Sequence, residues 1–171
     1  MTDNVQKKTN PAIIRQLSSG VEEQLLSAIT GLRETGNQLY MPDLLRLLRD
    51  SAFEAVKQEI RKLFIDLKDK NAVPYLIDAI ADSEYASIRK DLLSCCWQSG
   101  FDFAGYLSFF VDQVILNDWE VAFEAFTVIE NLETFPSHDI LENEIKKINR
   151  VLPSSEGNKK YLLTELRSIL A

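Results

Sequence analysis

Carboxylates are the side chains best placed by number to do chemistry. Residues 91–145 hold eleven of them, from Asp91 to Glu144, and no Lys or Arg. Two carboxylates act as general acid and base when their environments push their pKa values apart. Glu120 and Glu124 stand one helical turn apart, but no His or metal-ligand set accompanies them. His138 is the one histidine, so a site of repeated His ligands cannot be assembled. Cys95 and Cys96 are adjacent, whereas redox and metal sites space their cysteines as C-x-x-C. They are expected to be reduced thiols, at least one of them packed as a small core residue. No phosphate-binding G-x-x-x-x-G-K-[ST] or G-x-G-x-x-G occurs. No Ser sits in a G-x-S-x-G elbow either. The expectation is a protein without catalytic residues, cofactor or metal.

The charge is uneven. The formal net charge is -7, yet residues 1–90 balance at thirteen acids and thirteen bases. Residues 146–171 carry six bases against two acids. The whole excess of acid therefore lies in 91–145. Such asymmetry bears on partners rather than on fold. A phosphate backbone needs clustered Lys and Arg. Trp97 and Trp119 lie in the acidic stretch and the pI is about 4.8, so no nucleic acid is expected. No apolar run approaches the roughly 20 residues of a membrane span. The opening MTDNVQKKTN lacks the apolar stretch of a signal peptide. A cytoplasmic protein that does not enter a membrane is expected.

The elements that position these residues repeat. Pro42 recurs as Pro74, Leu44-Leu45 as Leu76-Ile77, Leu48 as Ile80 and Asp50-Ser51 as Asp82-Ser83, each at an offset of 32. Phe53 recurs as Tyr85 and Val56-Lys57 as Ile88-Arg89 at the same offset. A fixed period of this size marks stacked helix pairs. Proline opens a helix well at its first position, where its missing N–H would be unpaired anyway. Leu44, Leu45 and Leu48 then fall on one helix face. Asp50 and Asp82 are expected to cap the turn or to meet Lys57 and Arg89. The second helices are expected to bury Val56, Ile60, Leu63, Phe64 and Leu67, then Ile88, Leu92, Cys95 and Cys96.

This pattern resembles the short form of the HEAT repeat. That family shows a proline-led, leucine-rich helix, Asp at the turn, then Val-Arg and an apolar helix ending near Gly. Here those positions are Pro74, Leu76, Ile80, Asp82, Ile88-Arg89, Leu92, Cys95 and Gly100, with Pro42 to Leu63 as the second copy. The resemblance implies an all-α, right-handed α-solenoid of about four hairpins with half-repeat caps. It also implies a non-catalytic scaffold or adaptor that binds protein. Some HEAT-like proteins are DNA glycosylases with Trp and Asp in a cleft, which the missing basic residues argue against.

In chain order, residues 1–10 are expected to be a disordered or frayed tail and 11–171 a single repeat domain. Pro11–Leu17 copies the first helix of the unit as an N-terminal half-repeat. Val21–Thr35 follows, stopped at Gly36-Asn37, and is expected to pair with Pro42–Asp50. Ala52–Lys68 pairs with Val73–Asp82. Beyond Phe101 no proline opens the helix, and Asp82 to Asp118 is 36 residues, so a longer helix is expected there. Helices at 120–132, 138–152 and 159–170 complete the chain, with Val121, Ala125, Val128, Ile129 and Leu132 of the first facing the core and Ile140 or Leu141, Ile145, Ile148 and Leu152 of the second expected to be buried.

Three places are candidates for contact with something else. Trp119 and Phe123, rimmed by Glu120 and Glu130, form either an aromatic anchor for a basic partner segment or a pair covered by the chain itself. Arg15, Arg46 and Asp78 share one repeat position and are either a partner ladder or a solvated face. The aromatic segment 101–110 is either the core of an odd repeat or a groove for a small hydrophobic ligand. The last option would make the protein an enzyme or a lyase-like or chaperone-like carrier.

Overall fold

A computed structural model describes residues 8–35 and 37–171. Residues 1–7 of the expected tail and the expected helix stop at Gly36 lie outside the described residues. Ten α-helices and no strand occur among the described residues. They fall into two compact units, residues 1–101 and 102–171.

The first unit contains α1 (Pro11–Leu17), α2 (Glu22–Thr35), α3 (Met41–Asp50), α4 (Glu54–Asp66), α5 (Val73–Ala81) and α6 (Arg89–Gln98). α1 packs on α2, α3 on α4 and α5 on α6. The odd helices α1, α3 and α5 neighbour one another, as do the even helices α2, α4 and α6. The unit is thus two layers built from three hairpins. The expected pairings of α2 with α3 and of α4 with α5 are not made. α1 is the first arm of a whole hairpin, not a lone half-repeat.

The apolar stripes explain the layering. Leu17, Leu44, Leu45, Leu48, Leu76, Ile77 and Ile80 are buried on the odd helices. Leu25, Ala28, Ile29, Leu32, Val56, Ile60, Leu63, Phe64, Leu92, Cys95 and Cys96 are buried on the even ones. All follow the i, i+3, i+4 rule for one helix face.

A short polar device closes most of the turns. Asn37 Oδ1 accepts from the Leu39 N–H at 2.9 Å, and Asp69 Oδ1 from Asn71 at 3.2 Å. Each opens a 3-10 turn, Gln38–Tyr40 and Lys70–Ala72, that runs straight into α3 and α5. Pro42 and Pro74 are therefore the second residues of their helices, not the first. Within the hairpins Ser19, Ser51 and Asp82 do the same for the N–H groups of Val21, Phe53 and Glu84. Such side-chain-to-backbone bonds two residues on imitate a backbone turn. The expected role of Asp82 is met in this way. Asp50 instead pairs with Arg49 at 2.6 and 2.7 Å, not with Lys57 or a backbone N–H. The Arg49 guanidinium holds the Asp50 carboxyl below its ordinary range. Arg89 reaches the carbonyl of Ile80 at 2.7 Å and that of Asp82 at 3.3 Å, satisfying the end of α5.

Arginines cross between neighbouring hairpins. Arg33 on α2 meets Glu59 at 3.2 Å and Asp66 at 2.7 Å on α4. Arg61 on α4 meets Asp91 on α6 at 2.8 Å. Arg49 pairs with Glu84 and lies 5.1 Å from the centroid of the Tyr85 ring. Part of the balanced charge of the first ninety residues is thus spent within the unit.

Asn10 caps α1 through its Oδ1, 2.9 Å from the Ala12 N–H, and its own N–H donates to the buried Tyr40 hydroxyl at 2.6 Å. Cys95 and Cys96 are thiols buried at 2% and 1% exposure. Burial pushes the Cys96 thiol well above its ordinary value. The thiolate is the reactive form. A colorimetric disulfide reagent is therefore expected to leave both cysteines unmodified in native protein and to titrate both in urea. Rapid modification of the native protein would show that this part of the core opens readily.

The second unit contains α7 (Leu107–Leu116), α8 (Trp119–Glu130), α9 (His138–Val151) and α10 (Gly157–Leu170). α7 packs on α8 and α9 on α10, while α7 also touches α9 and α8 touches α10. The longer helix expected after Phe101 is not formed. α7 has 10 residues, as α3 does, and a 3-10 turn at Ala104–Tyr106 precedes it. Phe103 and Phe110 are enclosed, with their rings edge-to-face at 5.6 Å. Phe109 meets Phe110 edge-to-face at 5.3 Å. Of the residues expected to be buried on 138–152, Ile148 is buried, Ile140 is exposed and Leu141, Ile145 and Leu152 are half-buried, while Glu144 is buried at 3% exposure on the same face.

Candidate functional site

Chain geometry at α8 begins with its cap. Asp118 Oδ1 accepts from the Val121 N–H at 3.1 Å, and its carbonyl accepts from Ala122 at 2.9 Å. A carboxylate suits this position because the first N–H groups of a helix are unpaired and its N-terminus carries partial positive charge. From there Ala122, Ala125, Phe126, Val128 and Ile129 are buried. The core stripe is turned slightly from the expected one. Val121 and Leu132 are half-buried, and Ala122 and Phe126 take the interior places.

Trp119 and Phe123 still lie on the outside, 41% and 46% exposed. Their rings lie 5.6 Å apart, tilted by 36°. Of the two options for this pair, the structure has the exposed one. At 100° per residue, Glu130 falls on the same face as Trp119 and Phe123, with Glu120 and Thr127 beside them. Glu120 and Glu130 are both exposed. Thr127 turns its hydroxyl inward onto the Phe123 carbonyl at 3.0 Å.

The two ends of the neighbouring helices differ. Lys159 on α10 donates to the carbonyls of Val114 and Asn117 at the C-terminus of α7, the latter at 2.6 Å. Burial holds the Lys159 ammonium below its ordinary value, and the nearby Asp118 works the other way. α8 has no base in its last turn and ends on Glu130, an acid at the negative end of the helix dipole. Asn131 closes that end, its Nδ2 donating to the Thr127 carbonyl at 2.8 Å.

The other candidate residues sit in the first unit. Arg15 on α1, Arg46 on α3 and Asp78 on α5 are exposed on adjacent helices of one layer. Arg46 is paired to Asp43 at 2.7 Å. It lines a hollow of about 500 Å³ with Leu17, Leu25, Leu47 and Phe53. Asp78 lines a separate notch of about 170 Å³ with Tyr75 and Tyr85. The three are brought onto one face but not into one site.

Sequence reasoning missed Lys147 and Lys159, whose targets are an acid pair and a helix end rather than a partner. The block of six bases after residue 145, set against the acids before it, is the signal that could have found them. Among the described residues no group of three or more His, Cys, Asp or Glu is arranged to hold a metal ion. No helix among them is long and apolar enough to cross a membrane. Comparison of the chain with family models, with curated proteins and with solved structures finds no match.

Proposed function

We propose that the chain is a HEAT-like helical-repeat module of the right-handed solenoid class that binds another protein without catalysing a reaction. The observation that carries this reading is the exposed, mutually packed Trp119–Phe123 pair on α8. Large aromatic side chains dominate the energetics of protein interfaces, supplying area that can be fully desolvated at the centre of the contact. The layered hairpins support the same reading, since stacked helical repeats present extended faces to partners. The alternative, a small hydrophobic ligand held by segment 101–110, is weakened because Phe103 and Phe110 are used as core.

The test is affinity purification from the native cell with mass spectrometry, run in parallel on the wild type and on Phe123→Ala. Phe123 is half in solvent, so the variant is expected to fold normally. A specific partner is expected to be lost or reduced at least tenfold in the variant, on the scale of an interface hot spot, about 1.4–3 kcal/mol. Identical protein profiles from both baits would sink the reading.

A further inference from the structure

We infer that the α8 face binds an amphipathic helix whose polar side is basic. This rests on the reading of α8 as a protein-binding surface and names the chemistry of what it binds. Trp119, Phe123 and Glu130 lie on one narrow stripe, with the aromatics at the N-terminal end and the acid at the C-terminal end. Phe123 and Glu130 are two turns apart, about 10 Å along the axis. A helix laid along this stripe meets both with residues two turns apart on its own surface. An apolar residue there covers the Trp119–Phe123 pair, and a Lys or Arg two turns on reaches Glu130.

The charge of the end of α8 specifies the sign. Its last turn combines the negative end of the helix dipole with Glu130, and Glu133 follows two residues beyond Asn131. Within the same unit the matching end of α7 is occupied by the Lys159 ammonium. The end of α8 has no base in its last turn, and no Lys or Arg occurs anywhere in 91–145. An acidic or neutral helix would add repulsion or nothing at this end. A basic one supplies the counter-charge that α7 receives from Lys159. Charges at the rim chiefly raise the association rate and select the partner.

The experiment uses the full chain and a 14-residue Leu/Lys amphipathic helical peptide, with a Leu/Gln peptide of the same pattern as the neutral control. Trp97→Phe is made first, so that fluorescence reports Trp119 alone. The Leu/Lys peptide is expected to shift Trp119 emission to the blue and to bind at least tenfold more tightly than the Leu/Gln peptide. Raising salt from 50 to 300 mM is expected to erase most of that difference by screening. Phe123→Ala is expected to weaken binding of the Leu/Lys peptide at both salt concentrations. Glu130→Gln is expected to weaken it at low salt only. Equal binding of both peptides, or binding indifferent to Phe123→Ala and Glu130→Gln, would overturn the inference. If neither peptide binds but a cellular partner is still lost with Phe123→Ala, the protein-binding reading stands and the basic-helix inference falls.

Discussion

Phe110→Ala is expected to destabilise the protein by about 3–5 kcal/mol, the range for truncating a buried Phe. The side chain is fully enclosed, and its ring packs edge-to-face on both Phe103 and Phe109. Each such aromatic pair adds about 0.5–1.5 kcal/mol beyond buried area. The side chains around the vacated space lose their contacts with the ring. Urea denaturation followed by far-UV circular dichroism measures the loss. A midpoint within error of the wild type would mean that this segment does not carry the core. It would restore segment 101–110 as the wall of a ligand groove.

Much of the fold was legible because the apolar periodicity is strong. Leu44, Leu45, Leu48, Leu76, Ile77 and Ile80 are buried as their spacing requires, and so are Val56, Ile60, Leu63 and Phe64. What periodicity cannot supply is which stripe faces which. α2 shows the same kind of stripe to α1 and to α4, so sequence order alone misassigned its hairpin partner. The 3-10 turns before α3 and α5 were hidden for a different reason. They depend on a bond from Asn37 or Asp69 to the N–H two residues on, a local choice that leaves no mark on the hydrophobic pattern. The same limit explains the helix after Phe101. Four extra residues could lengthen a helix or fill the loops at its ends, and here α7 stays at 10 residues. At the candidate site one helical wheel turned Phe123 away from the expected core stripe, but it left open whether the chain itself covers Trp119 and Phe123, which are 41% and 46% exposed. The contrast between the ends of α7 and α8 was not foreseeable, because Lys159 reaches α7 from 42 residues away in sequence.

Lys147→Met is expected to cost about 2–3 kcal/mol, below the roughly 3–5 typical of breaking a fully buried pair. Lys147 Nζ on α9 lies 2.9 Å from Asp112 Oδ1 on α7 and 2.9 Å from Glu144 Oε2. Glu144 is 3% exposed, so removing the ammonium leaves a carboxylate enclosed without its counter-charge. The lysine itself is 36% exposed, and solvent screening of that partner lowers the expected figure. Adding Glu144→Met to Lys147→Met is expected to recover most of the loss, because an apolar side chain of similar volume needs no counter-charge. The pH dependence gives an independent reading. Burial pulls the Lys147 ammonium down, but its bonds to Asp112 and Glu144 outweigh that and hold it above its ordinary value. A group raised on folding stabilises fully below its unfolded value, about 10.4 for lysine, and loses that contribution as pH rises through the folded value. The gap in stability between wild type and Lys147→Met is therefore expected to be constant at neutral pH and to narrow above about pH 10. Urea midpoints of the wild type, the single variant and the double variant between pH 7 and 11 measure it. A single variant as stable as the wild type, or a double variant worse than the single, would show that the Asp112–Lys147–Glu144 triad does not hold α7 to α9.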